Sequence, residues 1–178
     1  MDRSSAFDLL RQHTQSESLI KHMLAVEACM RAYAEKFGED IEKWGASGLL
    51  HDFDYAPDHP EKGALILKEL GYPDDVIYAI KSHAEWTGCP RLSPMDKALF
   101  ACDELAGFIT AVTLVRPDKK LQGLEARSVR KKMKDKAFAR SVNRDDIANG
   151  AREMGLELDD HISFCIQAMN SVASSLGL

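Results

Sequence analysis

The feature that most constrains the fold is the spacing of apolar residues, which follows the helical repeat along most of the chain. No convincing run of alternating polar and apolar residues interrupts it. Ser16 or Ser18 can cap a long helix that ends at Gly38, and the apolar stripe of this helix includes His22. A helix with such a stripe must bury one face against neighbouring helices. The spacing therefore predicts an all-α protein.

Capping and proline residues indicate where further helices begin. These starts fall at Asp40, Pro60, Pro73, Ser93 and Asn143. A last amphipathic helix begins near Leu158, while Gly45 and Gly48 inside the second helix indicate close packing against a neighbour. We expect a helical core over residues 1–115 and a C-terminal helical extension over residues 116–178 that packs on the same domain.

The charge is unevenly distributed along the 178 residues. The net charge is −5, yet the segment Arg116–Arg144 holds eleven Lys and Arg against three Asp and Glu. Two basic helical pieces are predicted within it, around Glu125–Lys134 and Ala137–Ser141. A general nucleic-acid binder would be basic along a whole face, so nucleic acid is not the favoured partner. The segment suits either an anionic ligand met locally or an ordinary solvated surface.

Cysteine usage and hydropathy bear on the compartment. No apolar stretch approaches the roughly 18–20 residues of a membrane span, and the N-terminus lacks a signal-peptide pattern. The four cysteines are scattered without a C-x-x-C pair, which predicts neither a disulfide framework nor a structural zinc ribbon. We therefore expect a cytoplasmic protein that does not bind membranes.

Several histidines and aspartates fall where apolar helices predict the interior. They are His22, His51, Asp52, His59, His83 and Asp103. Singly, each has an ordinary explanation as a hydrogen-bonded core histidine, a loop residue or a carboxylate paired with a cation. Together they imply several buried polar groups, which is costly unless something neutralises them. Four imidazoles and two carboxylates suit one or two transition-metal ions. By contrast, His13 and His161 have polar neighbours and are predicted to lie on the surface.

The order of these residues resembles the H…HD…D signature of the HD-domain superfamily of metal-dependent phosphohydrolases. The dipeptide His51-Asp52 matches its centre. His59 in H-P-E-K-G-A and His83 in A-I-K-S-H resemble the additional histidines of the dinuclear branch. The resemblance covers roughly residues 16–115 and implies an HD-domain helical bundle with an appended C-terminal segment.

The resemblance also implies a site and a reaction. Asp52 would bridge two metals, with His22, His51 and Asp103 completing the first site and His59 and His83 the second. The cofactor would be one or two divalent ions (Fe, Mn, Mg, Zn, Co or Ni). Two such ions about 3.5–4 Å apart polarise a phosphoryl oxygen and generate hydroxide near neutral pH. The implied activity is a phosphomonoesterase or phosphodiesterase acting on a small phosphorylated substrate, with nucleotides among the candidates. The oligomeric state is left open.

One departure from the family bears on the substrate. Many relatives continue H-D-I-G-K, whereas this chain reads H-D-F-D-Y, with Asp54 and Tyr55 in place of Gly and Lys. Lys62 is our candidate for the missing phosphate contact, with Lys81 and the basic segment as further candidates. Lys62 and Asp52 are our candidates for a catalytic role. Lys62 can equally be a solvated helix residue. Asp54 is expected to hydrogen-bond a metal-bound water or a ligating imidazole, or to be a turn residue.

Other side chains remain candidates near the site. Four cations of the basic segment are candidates to neutralise a substrate phosphate, namely Arg116, Lys119, Lys132 and Arg140. Four aromatic residues can either stack on a base or pack in the core, and core packing is the favoured role for each: Phe53, Tyr55, Trp86 and Phe108.

Two rival functions stay open. The same residues resemble the ligands of mixed-valent di-iron oxygenases in this superfamily, which cleave carbon–carbon or carbon–phosphorus bonds. Some HD domains have instead lost their ligands and act in regulation without catalysis. The H-P-E-K-G-A phrase favours the hydrolase over the oxygenase, and the intact ligand set argues against a non-catalytic module.

Overall fold

The structure, a computed structural model, describes residues 2–55 and 59–178. Those residues form ten α-helices and one short 3-10 helix, with no strand in the described ranges, so the prediction of an all-α protein is confirmed. The helices are α1 (Arg3–His13), α2 (Glu17–Phe37), α3 (Ile41–Leu50), α4 (Glu61–Glu69), α5 (Asp74–His83), a 3-10 helix (Glu85–Thr87), α6 (Pro94–Leu114), α7 (Ala126–Met133), α8 (Arg144–Glu153), α9 (Leu158–Asn170) and α10 (Ala173–Leu176). Within the same ranges, none of them is long and apolar enough to cross a bilayer.

Helix α2 has the predicted ends and the predicted buried face. The Ser16 hydroxyl accepts a hydrogen bond from the backbone N–H of Leu19, and the helix ends at Gly38 in the left-handed conformation with φ 72°. Met23, Val26, Met30 and Tyr33 are fully buried. His22 on the same stripe is only half-buried because it lines a cavity.

Helix α3 lies unusually close to α2. A Cβ atom at Gly48 would lie 2.9 Å from the Cα of Glu27, so only glycine fits at this crossing. The close packing predicted for Gly48 is therefore confirmed. It brings His51, directly after α3, beside His22 on α2, with 5.2 Å between the ring centroids.

Helix α6 is the central helix of the bundle. Ser93 and Asp96 form a capping box at its start, with Pro94 in the first helical position. It packs against α2, α5, α8 and α9. Asp103 lies at its middle and faces the same cavity as His22.

The helices after residue 115 pack directly on those before it. A Cβ atom at Gly150 in α8 would lie 2.5 Å from the Cα of Ala101 in α6, so the two backbones are in contact. Helix α9 packs against both α2 and α6. The extension thereby covers the side of α6 that the first helices leave free.

The second basic piece is not a helix. Residues 137–141, predicted to be helical, form turns. The guanidinium of Arg144 donates hydrogen bonds to the backbone carbonyls of Phe138, Ala139 and Val142, and Ala139 has a positive φ of 41°. These carbonyls are thus bound by a side chain instead of by helical N–H groups. The first basic piece is helical, as α7.

His161 is buried, not at the surface as predicted. Its Nε2–H donates to the carbonyl of Ala101 at 2.9 Å, and its Nδ1 accepts from the Tyr33 hydroxyl at 2.6 Å. The acidic residues before it, Asp159 and Asp160, lie on the solvent side of α9, whereas His161 lies on the inner face. Burial lowers the pKa of His161. The other histidine predicted at the surface, His13, is exposed.

Helix α1 was not expected from the sequence. Its Arg3 forms a two-pronged ion pair with the buried carboxylate of Glu27, at 2.7 and 2.8 Å, and Arg31 contacts the same carboxylate at 2.8 Å. Two cations therefore compensate the buried charge of Glu27. This pairing fixes α1 on α2.

Candidate metal centre

The six residues predicted as metal ligands meet at one end of the bundle. They come from the second turn of α2, the middle of α6, the ends of α3 and α5, and the loop before α4. A cavity of about 610 Å³ opens onto this cluster. Five of the six line it, namely His22, Asp52, His59, His83 and Asp103. The sixth, His51, is fully buried beneath them.

Asp52 lies between three imidazoles. Its Oδ1 is 3.0 Å from Nε2 of His59 and 3.5 Å from Nε2 of His83. Its Oδ2 is 3.7 Å from Nε2 of His51. All three rings thus turn the same nitrogen toward one carboxylate, as ligands around a shared ion would.

Asp103 is the centre of the neighbouring group. Its Oδ1 lies 2.9 Å from Nε2 of His22 and 3.4 Å from Nε2 of His51. One donor atom of each of these three residues lies within 4.8 Å of the other two, and the same holds for His51, Asp52 and His83. Two adjacent three-residue groups therefore share His51.

In His51 and His83, Nδ1, the ring nitrogen farther from Asp52, forms a hydrogen bond with the backbone. Nδ1 of His51 bonds the carbonyl of Gly48 at 2.9 Å, and Nδ1 of His83 bonds the carbonyl of Ile80. Because a carbonyl only accepts, Nδ1 carries the proton in both rings, and a neutral ring leaves a lone pair on Nε2. Metal-binding histidines are oriented in this way.

Asp54 orients the imidazole ring of His59 through a hydrogen bond. Its Oδ1 accepts from Nδ1 of His59 at 2.7 Å, and its Oδ2 accepts from the backbone N–H of Gly63 at 2.5 Å. A Cβ atom at Gly63 would lie 2.7 Å from the Asp54 carboxyl carbon, so glycine is required there. Of the roles considered for Asp54, the structure shows the bond to an imidazole.

Two buried nitrogens indicate that the site suits a cation. Nε2 of His51 and Nε2 of His59 are buried and have no hydrogen-bond partner among the described residues. His59 Nε2 is close to Asp52, but the two are not aligned as donor and acceptor. Leaving such atoms without a partner is costly. Imidazole nitrogens beside carboxylates fit one or two divalent transition metals.

The pKa values show how strongly the site attracts positive charge. Burial would lower the pKa of His59, but the Asp52 and Asp54 carboxylates outweigh it and raise the pKa to about 9. Asp52 and Asp103 together outweigh burial at His51 and raise its pKa too. Burial acts to raise the pKa of Asp103, but the His51 and His22 imidazoles hold it far below its usual range. The carboxylates thus favour positive charge at these rings, which either a proton or a metal ion can supply.

The rim of the cavity carries two exposed aromatic rings. Tyr55 and Trp86 are 71% and 73% exposed and lie near His59, with ring centroids 6.2 and 6.3 Å from its ring. The core-packing role favoured for them was wrong, because each follows a buried helix end and points outward over the cavity. The same role is confirmed for Phe53 and Phe108, which are fully buried.

The cavity wall is acidic. Beyond the two central aspartates it includes Glu85, Glu104 and Asp146, and no Lys or Arg is among the described residues that line it. Glu104 accepts a hydrogen bond from the backbone N–H of Asn143 at 3.1 Å, which fixes the Ser141–Asn143 edge of the cavity. Burial and the nearby Asp103 raise the pKa of Glu104 to about 7. Sequence reasoning missed these acids because helical periodicity does not show which residues of separate helices face one cavity.

The predicted cations lie elsewhere. Lys62, proposed as catalytic, is exposed on the first turn of α4 and is not among the described cavity residues. Lys81 pairs with Glu61 at 3.0 Å. Within the basic segment, Arg116 pairs with Asp118. The structure therefore brings together the six metal-type residues but not Lys62.

Comparison with known proteins supports the family resemblance. The chain matches the HD domain family over residues 19–107. It is 30% identical over 146 residues to a ribonuclease Y of Desulfotalea psychrophila, covering 76% of this chain and 28% of that protein. It is 39% identical over 105 residues to the ribonuclease Y of Nitratidesulfovibrio vulgaris strain DP4, covering 55% and 20%. No solved structure matches.

The chain spans less than a third of the length of these relatives. The matched residues 19–107 nevertheless include all six metal-type side chains of the cavity. The family match and the clustered His and Asp residues agree. The chain belongs to the HD domain family, within the superfamily of metal-dependent phosphohydrolases.

Proposed function

We propose that this protein hydrolyses a phosphomonoester or phosphodiester bond of a small phosphorylated substrate at a divalent-metal centre. One observation carries the proposal. Buried His51, His59 and His83 each have Nδ1 bound by the protein and turn Nε2 toward Asp52. Such an arrangement holds cations while leaving the cavity side open to a substrate.

Some residues of the centre would bind the metal ions, and another orients a ligand ring. Asp52, which faces three of the imidazoles, would be shared by two ions, while His22 and Asp103 would complete the coordination of one ion. Asp54 fixes the ring of His59. Bound divalent ions would supply Lewis-acid polarisation of the phosphoryl oxygen and make water more acidic.

The cavity favours a compact substrate. With carboxylates and no described Lys or Arg in its wall, the attraction for a phosphate group must come from bound metal ions. A second or third phosphate farther out would meet Glu85 and Asp146 and be repelled. Tyr55 and Trp86 offer stacking faces for a base. A nucleoside carrying one phosphate group fits these features.

A second candidate is cleavage of an RNA phosphodiester bond. It is favoured by the relatives, which carry the name ribonuclease Y and share up to 39% identity with this chain. The same centre would serve both reactions, because the bond broken is a phosphoester in each. The two differ in how far the substrate extends beyond the cavity.

The test is metal analysis followed by activity assays on protein purified without chelators or metal-affinity resin. We expect bound divalent metal and hydrolysis in a panel of nucleoside monophosphates, cyclic dinucleotides and short oligoribonucleotides. Asp52→Asn should abolish turnover, whereas Asp74→Asn, the same change at an exposed position, should not. Protein without metal or hydrolysis would overturn the proposal. Dioxygen consumption by iron-loaded protein would favour the oxygenase alternative.

A further inference from the structure

Three of the four cysteines meet in the core, although they are far apart in sequence. Cys29 on α2, Cys102 on α6 and Cys165 on α9 are all fully buried. Their three sulfur atoms lie within 4.8 Å of one another. The fourth cysteine, Cys89, lies outside this group and is half-buried.

The spacing of the sulfurs suits a common ion. Sulfur atoms bound at about 2.3 Å to one tetrahedral zinc ion are about 3.8 Å apart. A disulfide would join two of the three at about 2.05 Å and leave the third unused. Soft thiolate ligands select zinc and copper(I) over magnesium or calcium.

A histidine beside the sulfurs adds an independent sign of metal binding. Nδ1 of His161 is 3.7 Å from the sulfur of Cys165. Its Nε2–H is donated to the carbonyl of Ala101, so the lone pair is on Nδ1, beside the sulfurs. A ring nitrogen fixed by a carbonyl is the usual partner arrangement of a metal-bound histidine. In the structure, Nδ1 accepts a hydrogen bond from the Tyr33 hydroxyl.

We propose that Cys29, Cys102 and Cys165 bind one thiophilic divalent cation, Zn²⁺ being the most suitable, at a structural site separate from the His and Asp centre. His161 Nδ1 is the nearest nitrogen for the fourth position. On binding, each thiol releases its proton to water and forms one metal–sulfur bond, and no oxidation or reduction takes place. Because the sulfurs are inaccessible, the ion would enter while the chain folds.

The position of this site indicates a structural role for a bound ion. Cys29 follows His22 by two helical turns on the same face of α2, about 10 Å along the helix axis. Cys102 directly precedes Asp103 in α6. An ion there would link α9 to the two helices that supply His22 and Asp103. It would thus fix the C-terminal extension to the helices of the HD domain.

Cobalt substitution tests the proposal with a readout that the His and Asp centre cannot produce. Full-length protein is unfolded with chelator and reductant, refolded with Co²⁺, and examined for the intense near-ultraviolet sulfur-to-cobalt absorption. We expect this absorption in the wild type, in Asp52→Asn and in Cys89→Ser. Cys29→Ser and Cys165→Ser should lose it, and zinc content after growth with zinc should fall by one ion per chain.

The wild-type measurement decides the matter even if a cysteine variant fails to fold. Folded wild-type protein that shows no sulfur-to-cobalt absorption after refolding with Co²⁺ would overturn the proposal. The three cysteines would then be apolar packing residues. That outcome would leave the hydrolase proposal unaffected, because its test rests on Asp52 and on substrate turnover.

Discussion

Replacing Asp54 by Asn tests how the metal centre is oriented. Asn has the same shape but only one acceptor oxygen, whereas both oxygens of Asp54 accept hydrogen bonds, from His59 and from Gly63. If the amide nitrogen faces Gly63, two donors meet. If it faces His59, Nδ1 must become the acceptor and the ring proton moves to Nε2, the atom that should bind metal.

Both orientations of the amide predict a loss of metal affinity. Removing a partner that orients a metal-bound histidine costs about 10–100-fold in metal affinity, or about 1.4–2.7 kcal/mol. The side chain of Asp54 is only 2% exposed, so water cannot replace the lost bond. The metal-free protein should also lose about 1–3 kcal/mol of stability, because a buried donor is left unpaired.

Calorimetric titration with Mn²⁺ measures the first effect, and thermal unfolding of the chelated protein measures the second. Asp74→Asn is the matched control, since it makes the same chemical change on the exposed first turn of α5. The control should bind Mn²⁺ like the wild type.

The reasoning would be refuted by a folded Asp54→Asn protein that binds Mn²⁺ as tightly as the wild type. Asp54 would then be a turn residue, and the orientation of His59 would have to come from its surroundings alone.

Three further predictions concern pH and substrate. The pKa of His59 is raised to about 9, and a metal must displace this proton. Mn²⁺ affinity should therefore rise up to tenfold per pH unit between about 6.5 and 9; a flat profile in titrations would contradict this. Burial lowers the pKa of His161, so the unfolded chain binds the proton more strongly below about pH 6.5. Stability should fall on acidification, and by less in His161→Gln, as denaturant titrations at two pH values will show. Trp86→Ala should raise KM for nucleotide substrates while kcat changes little, because a stacking face is lost; an equal loss of kcat would exclude a stacking role.

Residue type and spacing predicted most of the bundle and the His and Asp residues that meet at the cavity. Ser16, Gly38 and Asp40 were correctly predicted as helix ends, because capping depends on only a few neighbouring residues. His51 and Asp52 could be found because ionisable residues at the end of an apolar helix are rare without a compensating partner. Both inferences use information contained within one helix.

What the sequence did not reveal depends on which helices meet. The burial of His161 requires α9 to lie against Tyr33 and Ala101, residues more than fifty positions away. The meeting of the cysteine sulfurs depends on the same three-helix contact. Helical periodicity shows which face of a helix is buried, but it does not identify the helix on the other side.

Gly48, at the crossing of α2 and α3, positions the proposed metal ligand His51 in two ways. Its carbonyl accepts from Nδ1 of His51, and its missing side chain lets α3 approach within contact of the Glu27 backbone. That backbone cannot easily move aside, because Arg3 and Arg31 both fix the Glu27 carboxylate. A single methyl group at Gly48 would therefore displace His51 from His22 and Asp103. The proposed metal binding at one end of the bundle would thus depend on a residue that does not line the cavity.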